Sequence, residues 1–334
     1  MKPKIGITIG DINGIGPEVI IKMLSDDRLY SICQPIIYGS TKVLSFYKKV
    51  LNNDKFKYTH FKDWDQLNGK QSFVINCIEE NAEVCVGQEK DEAGKYALDC
   101  IDAALKDWKD GHIDAILTAP INKNLVAKHT TEKFKGHTEY ITDFCGAKES
   151  LMLLTSEKLT VGLVTNHIPI NLVASKLKTS AITSKIMMLN NSLKADFGIQ
   201  KPKIAVLGLN PHAGDSGLIG TEEDEIIKPS INDAMSRGIY AFGPYSADGF
   251  FGTADYKAFD GIIAMYHDQG LIPFKSICFD EGVNFTAGIN LVRTSPDHGT
   301  AYAIAGKNLA SESSMRQALY AAIDIYKNRQ EAVK

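Results

Sequence analysis

The sequence predicts an α/β protein with two domains and a largely parallel sheet. Three observations carry this. Short β-rich runs alternate with longer helical patterns along the chain. Several of those runs are continuously apolar, as strands covered on both faces are. No Pro/Gly/Ser-rich linker, internal repeat or low-complexity segment divides the 334 residues, so two domains sharing a sheet or a cleft fit better than two beads on a string.

The strands are expected at Ile5–Ile9, Ile36–Tyr38, Ser72–Ile75, Ile113–Leu117, Thr160–Thr165, Lys203–Leu209 and Phe259–Met265. A helix is expected from Asp91 to Lys109, where Tyr96, Leu98, Ile101, Ala104, Leu105 and Trp108 make an apolar stripe that Gly111 stops. A last helix, Ser313 to Asn328, repeats the pattern with Met315, Leu319, Ala322, Ile325 and Tyr326.

The composition is 44% hydrophobic and 23% charged, ordinary for a globular protein, and the net charge is −3. That balance, without a Lys/Arg block, argues against a nucleic-acid or membrane-surface partner. No export signal and no apolar run of membrane-spanning length is visible. The six cysteines are scattered, without a C-x-x-C pair, and read as reduced thiols of a cytoplasmic protein.

Chemistry concentrates just after the strands. His167 follows the run ending at Thr165, His212 the run ending at Leu209, and His267 the run ending at Met265. In parallel α/β sheets the carboxyl ends of strands line the ligand crevice. Any one of these histidines alone reads as a solvated loop residue. Three at equivalent places can converge on one divalent ion, leaving the open position of a catalytic site. Asp11, Thr118, Asn122, Lys123, Asp248 and Lys275 follow apolar runs similarly.

Gly10-Asp11-Ile12-Asn13-Gly14-Ile15-Gly16-Pro17-Glu18 is neither a Rossmann G-x-G-x-x-G nor a Walker loop. Its two readings are a turn that lets a helix pack on the sheet and a direct ligand contact. Pro17 suits a first helical turn. Gly136-His137-Thr138-Glu139 reads as a helix start at which Thr138 can cap and backbone N–H groups suit an anion. Ser295-Pro296-Asp297-His298-Gly299-Thr300-Ala301 reads as a tight loop that lets a ligand approach the backbone.

Taken together these segments, with Leu117–Lys123, Gly208–Gly214, Gly243–Asp248, Met265–Lys275 and Gly282–Gly306, resemble the 4-hydroxythreonine-4-phosphate dehydrogenase (PdxA) family along nearly the whole chain. The resemblance implies a two-domain fold like those of isocitrate and isopropylmalate dehydrogenases. The domains are expected at about 1–125 plus 300–334 and 126–299, with the active site in the cleft of a homodimer and at its interface. It implies a metal on His167, His212 and His267, and substrate contacts at His137, Thr138, Lys275, Asn284 and Arg293. Gly299, Thr300 and Ala301 resemble the adenine-side NAD loop of isocitrate-type enzymes. Zinc suits the imidazoles, with cobalt, magnesium or manganese as alternatives, and NAD and NADP are both open. Asp248 and Asp268 are candidates for proton transfer or for orienting the histidines.

The expected reaction is oxidation of 4-phosphooxy-L-threonine, followed by decarboxylation, in pyridoxal phosphate biosynthesis. Relatives that act on D-threonate or D-erythronate 4-phosphate, or on a dihydrodiol carboxylate, share these motifs. A metal-dependent lyase or hydrolase without nucleotide and a non-enzymatic binding protein are the readings outside the family. One departure is visible: the family commonly has Pro-Ala where this chain has Ile12-Asn13, which implies altered loop stiffness.

Overall fold

The long apolar runs do become strands, and the chain gathers them into two compact units, 1–148 with 289–327 and 149–288 with 328–334. The sequence reading put these boundaries near 125 and 300; the difference assigns the helix His137–Phe144 and the strand bearing Arg293 to the first unit. The computed structural model describes residues 2–67, 70–79, 82–130 and 134–332.

In the first unit β1 (Lys4–Thr8), β2 (Gln34–Gly39), β3 (Tyr58–His60), β4 (Ser72–Asn76), β5 (Ala115–Thr118) and β12 (Val292–Pro296) lie in the order β3-β4-β2-β1-β5-β12. Every described pair is parallel. The order reverses between β1 and β5, which makes their carboxyl ends a topological switch point, the usual ligand crevice of such sheets. Helix Asp91–Lys109 forms as expected and buries Ala97, Ile101, Ala104 and Leu105.

The second unit orders its strands β11 (Val283–Ala287), β6 (Leu151–Thr155), β7 (Thr160–Leu163), β10 (Gly261–Ala264), β8 (Lys203–Leu207) and β9 (Tyr240–Tyr245). Here β6 runs antiparallel to both neighbours, so "largely parallel" describes the first unit fully and the second in part. β7, β10, β8 and β9 are mutually parallel. Val161, Leu163, Ala205, Leu207, Ile262 and Ala264 from the three central strands pack with Leu271 and Phe274 of helix His267–Cys278. Burying such side chains supplies about 1.5–3 kcal/mol each for the larger ones, and it fixes the strand ends from which the histidines depart.

The cysteines carry free thiols. No helix among the described residues is long and apolar enough to cross a membrane.

Candidate active site

The three histidines leave the carboxyl ends of three neighbouring parallel strands of the second unit. Spatially the order is β7, β10, β8, hence His167, His267, His212. The rings of His167 and His267 stand 5.6 Å apart between centroids. His212 lies close enough to Asp248 for its charge to help hold that carboxyl below the usual range, after the Ser246 hydroxyl (2.5 Å) and the Gly249 N–H. Among the described residues no three His, Cys, Asp or Glu side chains stand together at ligating distance. The structure therefore pairs two of the imidazoles and delivers the third at the adjacent strand end.

The donor chemistry suits a divalent ion. His267 Nδ1 and Asp268 Oδ1 are 2.7 Å apart. A carboxylate on Nδ1 fixes the ring and leaves Nε2 for a metal, the usual arrangement behind a histidine ligand. Asp268 therefore touches the His267 ring, whereas Asp248 sits exposed in the first turn of helix Ala247–Gly252. Asn166 Oδ1, beside His167, is buried without a partner among the described residues.

The strand ends are tied by groups that sequence reasoning did not single out. The Thr165 hydroxyl donates to the Met265 carbonyl (2.7 Å), joining the ends of β7 and β10. Buried Gln269 accepts from Met265 N–H (2.7 Å) and donates to the Gly208 carbonyl (2.6 Å), joining β10 to β8. Glu223, 1% exposed, accepts from the N–H groups of Leu209 and Asn210 and from the Asn210 amide. Their only sequence signal was a polar residue where an amphipathic pattern calls for an apolar one.

The segment that bears His212 is unusual. His212, Ala213, Gly214, Asp215 and Ser216 all have φ between +43° and +82°, one turn of left-handed backbone. For L residues this costs roughly 1–2 kcal/mol each, so it persists only where its surroundings enforce it. Lys275 lies half-buried two turns after His267 on the same helix. Asn284, on β11, has a buried Oδ1 without a partner among the described residues, a site for an external donor.

The first unit holds a second polar group. Arg293, on β12, is 2% exposed and donates from Nη2 (2.7 Å) and Nε (3.2 Å) to the Thr118 hydroxyl at the end of β5. Burial pulls its pKa down to about 10, partly offset by Glu139, so it stays cationic at neutral pH. Burial, then the charges of Arg293 and Lys123, push His137 well below its ordinary value, so its imidazole is neutral. Its Nε2 is buried without a partner among the described residues. A guanidinium, an ammonium and an open imidazole at one helix start suit a phosphate or carboxylate.

Thr138 does not cap that helix. Gly136 occupies the N-cap with φ +151°, no side chain caps, and Thr138 lies inside the first turn. The loop Gly10–Glu18 proves to be a packing device. A Cβ on Gly10 would press into the Pro120 carbonyl and one on Gly14 would meet Thr300 O at 2.7 Å. Glu18 is buried, paired with Lys22, and accepts from Gly306 and Ala310 N–H. Asn13 accepts from Cys85 N–H, giving Ile12-Asn13 a structural use here. Thr300 O accepts from Ile15 N–H, while Gly299 and Ala301 stay exposed, Ala301 with φ +44°. The Tyr302 hydroxyl donates to Asp11 (2.5 Å), whose pKa burial raises and this bond lowers.

The chain matches the family described as pyridoxal phosphate biosynthetic protein PdxA over residues 31–322. It is 48% identical to a 4-hydroxythreonine-4-phosphate dehydrogenase of Bacteroides thetaiotaomicron, covering 98% of this chain and 90% of that one. A second protein of that name, from Sulfurihydrogenibium, is 42% identical over 96% and 97% of the two chains. The crystal structure of a 4-hydroxythreonine-4-phosphate dehydrogenase from Klebsiella pneumoniae superposes with TM-score 0.86 at 33% identity, covering 98% of each chain. An isocitrate dehydrogenase from Methylococcus capsulatus (TM-score 0.50, 12% identity, 100% of this chain and 88% of that one) shares the fold alone.

Fold and relatives make this chain a dehydrogenase, an oxidoreductase on two α/β units. It belongs to the family of the pyridoxal phosphate biosynthetic protein PdxA.

Proposed function

We propose that the chain oxidises 4-phosphooxy-L-threonine with NAD(P)⁺ to 2-amino-3-oxo-4-phosphooxybutanoate, a β-keto acid that loses CO₂ to give 3-amino-2-oxopropyl phosphate. The observation that carries this reading is the near full-length identity to a relative bearing that name. The polar groups of each unit support it.

In the first unit the buried guanidinium of Arg293, held by Thr118, supplies a fixed positive charge for an anion, and Lys123 adds a point charge. His137, neutral and with Nε2 open, donates or accepts at the same anion together with the first-turn Thr138. In the second unit Lys275 and Asn284 hold further substrate oxygens. His167, His212 and His267 would hold a divalent metal, with Asp268 fixing the His267 ring through Nδ1. Such an ion, zinc first given imidazole donors, would supply Lewis-acid polarisation of the substrate oxygen, and NAD(P)⁺ would serve as hydride acceptor. Asp248, whose carboxyl Ser246 and Gly249 hold below the usual range, would take the hydroxyl proton. Gly299, Thr300 and Ala301 would meet the nucleotide, with Gly299 and Ala301 exposed and without a bulky side chain to hinder approach.

The enzyme would work in the cytoplasm as a homodimer. In its support, Ile170, Leu172, Leu218, Ile219 and Ile272, each a few residues after one of the histidines, are large apolar side chains left exposed. Sedimentation should give twice the chain mass.

The test is His212→Ala, with bound metal read by elemental analysis and turnover by NADH absorbance. The panel is 4-phosphooxy-L-threonine, D-threonate 4-phosphate and D-erythronate 4-phosphate. Loss of metal and turnover, with the first substrate preferred, is expected. Full metal occupancy with intact turnover removes the metal site, and preference for a threonate phosphate moves the assignment within the family.

A further inference from the structure

We infer that Glu223 is a positioning residue for His212, acting through the left-handed turn; this rests on the reading of His212 as a metal ligand. Glu223 begins the π-helical turn Glu223–Ile227 that leads into helix Lys228–Ser236. Such turns widen a helix locally and are frequent at functional sites. Here the turn sets a buried carboxylate directly behind the exit of β8.

Both carboxylate oxygens are used on that exit. Oε1 accepts from Leu209 N–H at 2.7 Å and Asn210 N–H at 2.8 Å. Oε2 accepts from the Asn210 Nδ2 at 2.9 Å, which also reaches Glu222 Oε2 at 2.8 Å. Asn210 is therefore held by backbone and side chain. Pro211 follows with its φ fixed by the ring. Few free torsions remain between the Glu223-bound amide and the Cα of His212.

The glycines around Glu223 indicate how close this grip is. A Cβ on Gly208 would stand 3.1 Å from Glu223 Oε1, and one on Gly214 would stand 2.6 Å from Oε2. A Cβ on Gly220 would drive into Asn210 Nδ2. The carboxylate thus lies against the start of the left-handed turn, through Asn210, and against its middle, at Gly214. The turn closes on itself through Ala213 N–H to Asn210 O and Ile219 N–H to Gly214 O, both 3.1 Å. Without Glu223 the Leu209 and Asn210 N–H groups lose their acceptor and the Asn210 amide keeps only Glu222, which loosens the strand exit towards ordinary backbone. His212 would then swing away from the end of β8, next to the β10 end from which His267 departs.

The measurement uses full-length enzyme: wild type, Glu223→Gln, Glu223→Ala and, as a control, His212→Ala. Zinc affinity is read by competition with a chromophoric chelator, and kcat and KM are taken at limiting and at excess zinc. Groups behind a metal ligand typically contribute 10–100-fold in metal affinity. Glu223→Gln keeps one acceptor oxygen and should weaken zinc about 10-fold; Glu223→Ala should approach about 100-fold. Excess zinc should restore turnover in Glu223→Gln and fail to do so in His212→Ala, a split that general destabilisation does not produce. If Glu223→Ala does not fold, Glu223→Gln carries the comparison, with its melting curve as the check on folding.

Zinc bound by wild type, lost in His212→Ala and unchanged within about twofold in a folded Glu223→Gln overturns this inference alone. Zinc that wild type and His212→Ala bind equally, or not at all, overturns the metal reading and this inference with it.

Discussion

Replacing Thr118 with Val removes one oxygen from the first unit and little else. The side chains are nearly isosteric, and Thr118 is fully buried at the end of β5. That oxygen accepts from Arg293 Nη2 at 2.7 Å and from Nε at 3.2 Å. Hydrogen bonds to a charged group contribute about 1.5–3 kcal/mol, the longer of two less than the shorter. The guanidinium is itself buried, and burial already draws its pKa down to about 10. Its two N–H groups would lose an acceptor where water has little access. We expect Thr118→Val to destabilise the protein by about 2–3 kcal/mol, a fall in Tm of roughly 3–4 °C for a chain of 334 residues. The guanidinium should also lose its fixed plane, raising KM for the phosphorylated substrate more than it lowers kcat. Thr118→Ser, which keeps the oxygen, should lie close to wild type on both counts. Thermal melts by circular dichroism and initial rates decide. A Thr118→Val that melts with the wild type, or a Thr118→Ser that falls as far, would refute the reasoning.

Protonating His137 opposes folding, because its pKa in the folded chain lies well below the ordinary 6.5. The stability this neutral ring contributes is complete above about pH 6.5 and is lost as pH falls towards the folded value; chemical denaturation at pH 8 and pH 5.5 should show a smaller difference in His137→Asn than in wild type. Gly10 and Gly111 both have positive φ, +71° and +77°, but a Cβ on Gly111 meets nothing within 4 Å whereas one on Gly10 meets backbone. Gly111→Ala should cost only the left-handed strain, about 1 kcal/mol, and Gly10→Ala at least roughly 3 kcal/mol, as urea midpoints will register.

The residues that matter were visible where they interrupt a simple pattern. His167, His212 and His267 stand out because each ends a continuous apolar run, and their placement on adjacent strand ends follows from the fold those runs imply. Their spatial order was not visible, since periodicity does not say that β10 enters between β7 and β8. β11 and β12 escaped notice because Val-Asn-Phe-Thr-Ala and Val-Arg-Thr-Ser-Pro carry polar residues on buried strands. Those polar residues, Asn284 and Arg293, are the ones the family resemblance selects, and they break the apolar run that would have revealed the strand. The turn at His212 had no local cue either: only Gly214 among its five residues favours positive φ, and the enforcing group, Glu223, lies several residues further on. Thr138 has a capping residue's chemistry, but Gly136 takes the cap because its φ of +151° excludes side chains.

The position of β10 bears on how the second unit is made. β7 and β8 emerge first from the ribosome, yet they are not neighbours: β10 separates them and bonds to both. Until residues 261–264 arrive, the nascent sheet has two open strand edges facing a gap, the geometry most prone to wrong pairing. The histidine in the middle of the spatial row, His267, is also the last to be synthesised. Completion of the histidine row is thereby tied to the insertion of β10: a chain truncated before it has neither a continuous run of parallel strands nor all three imidazoles.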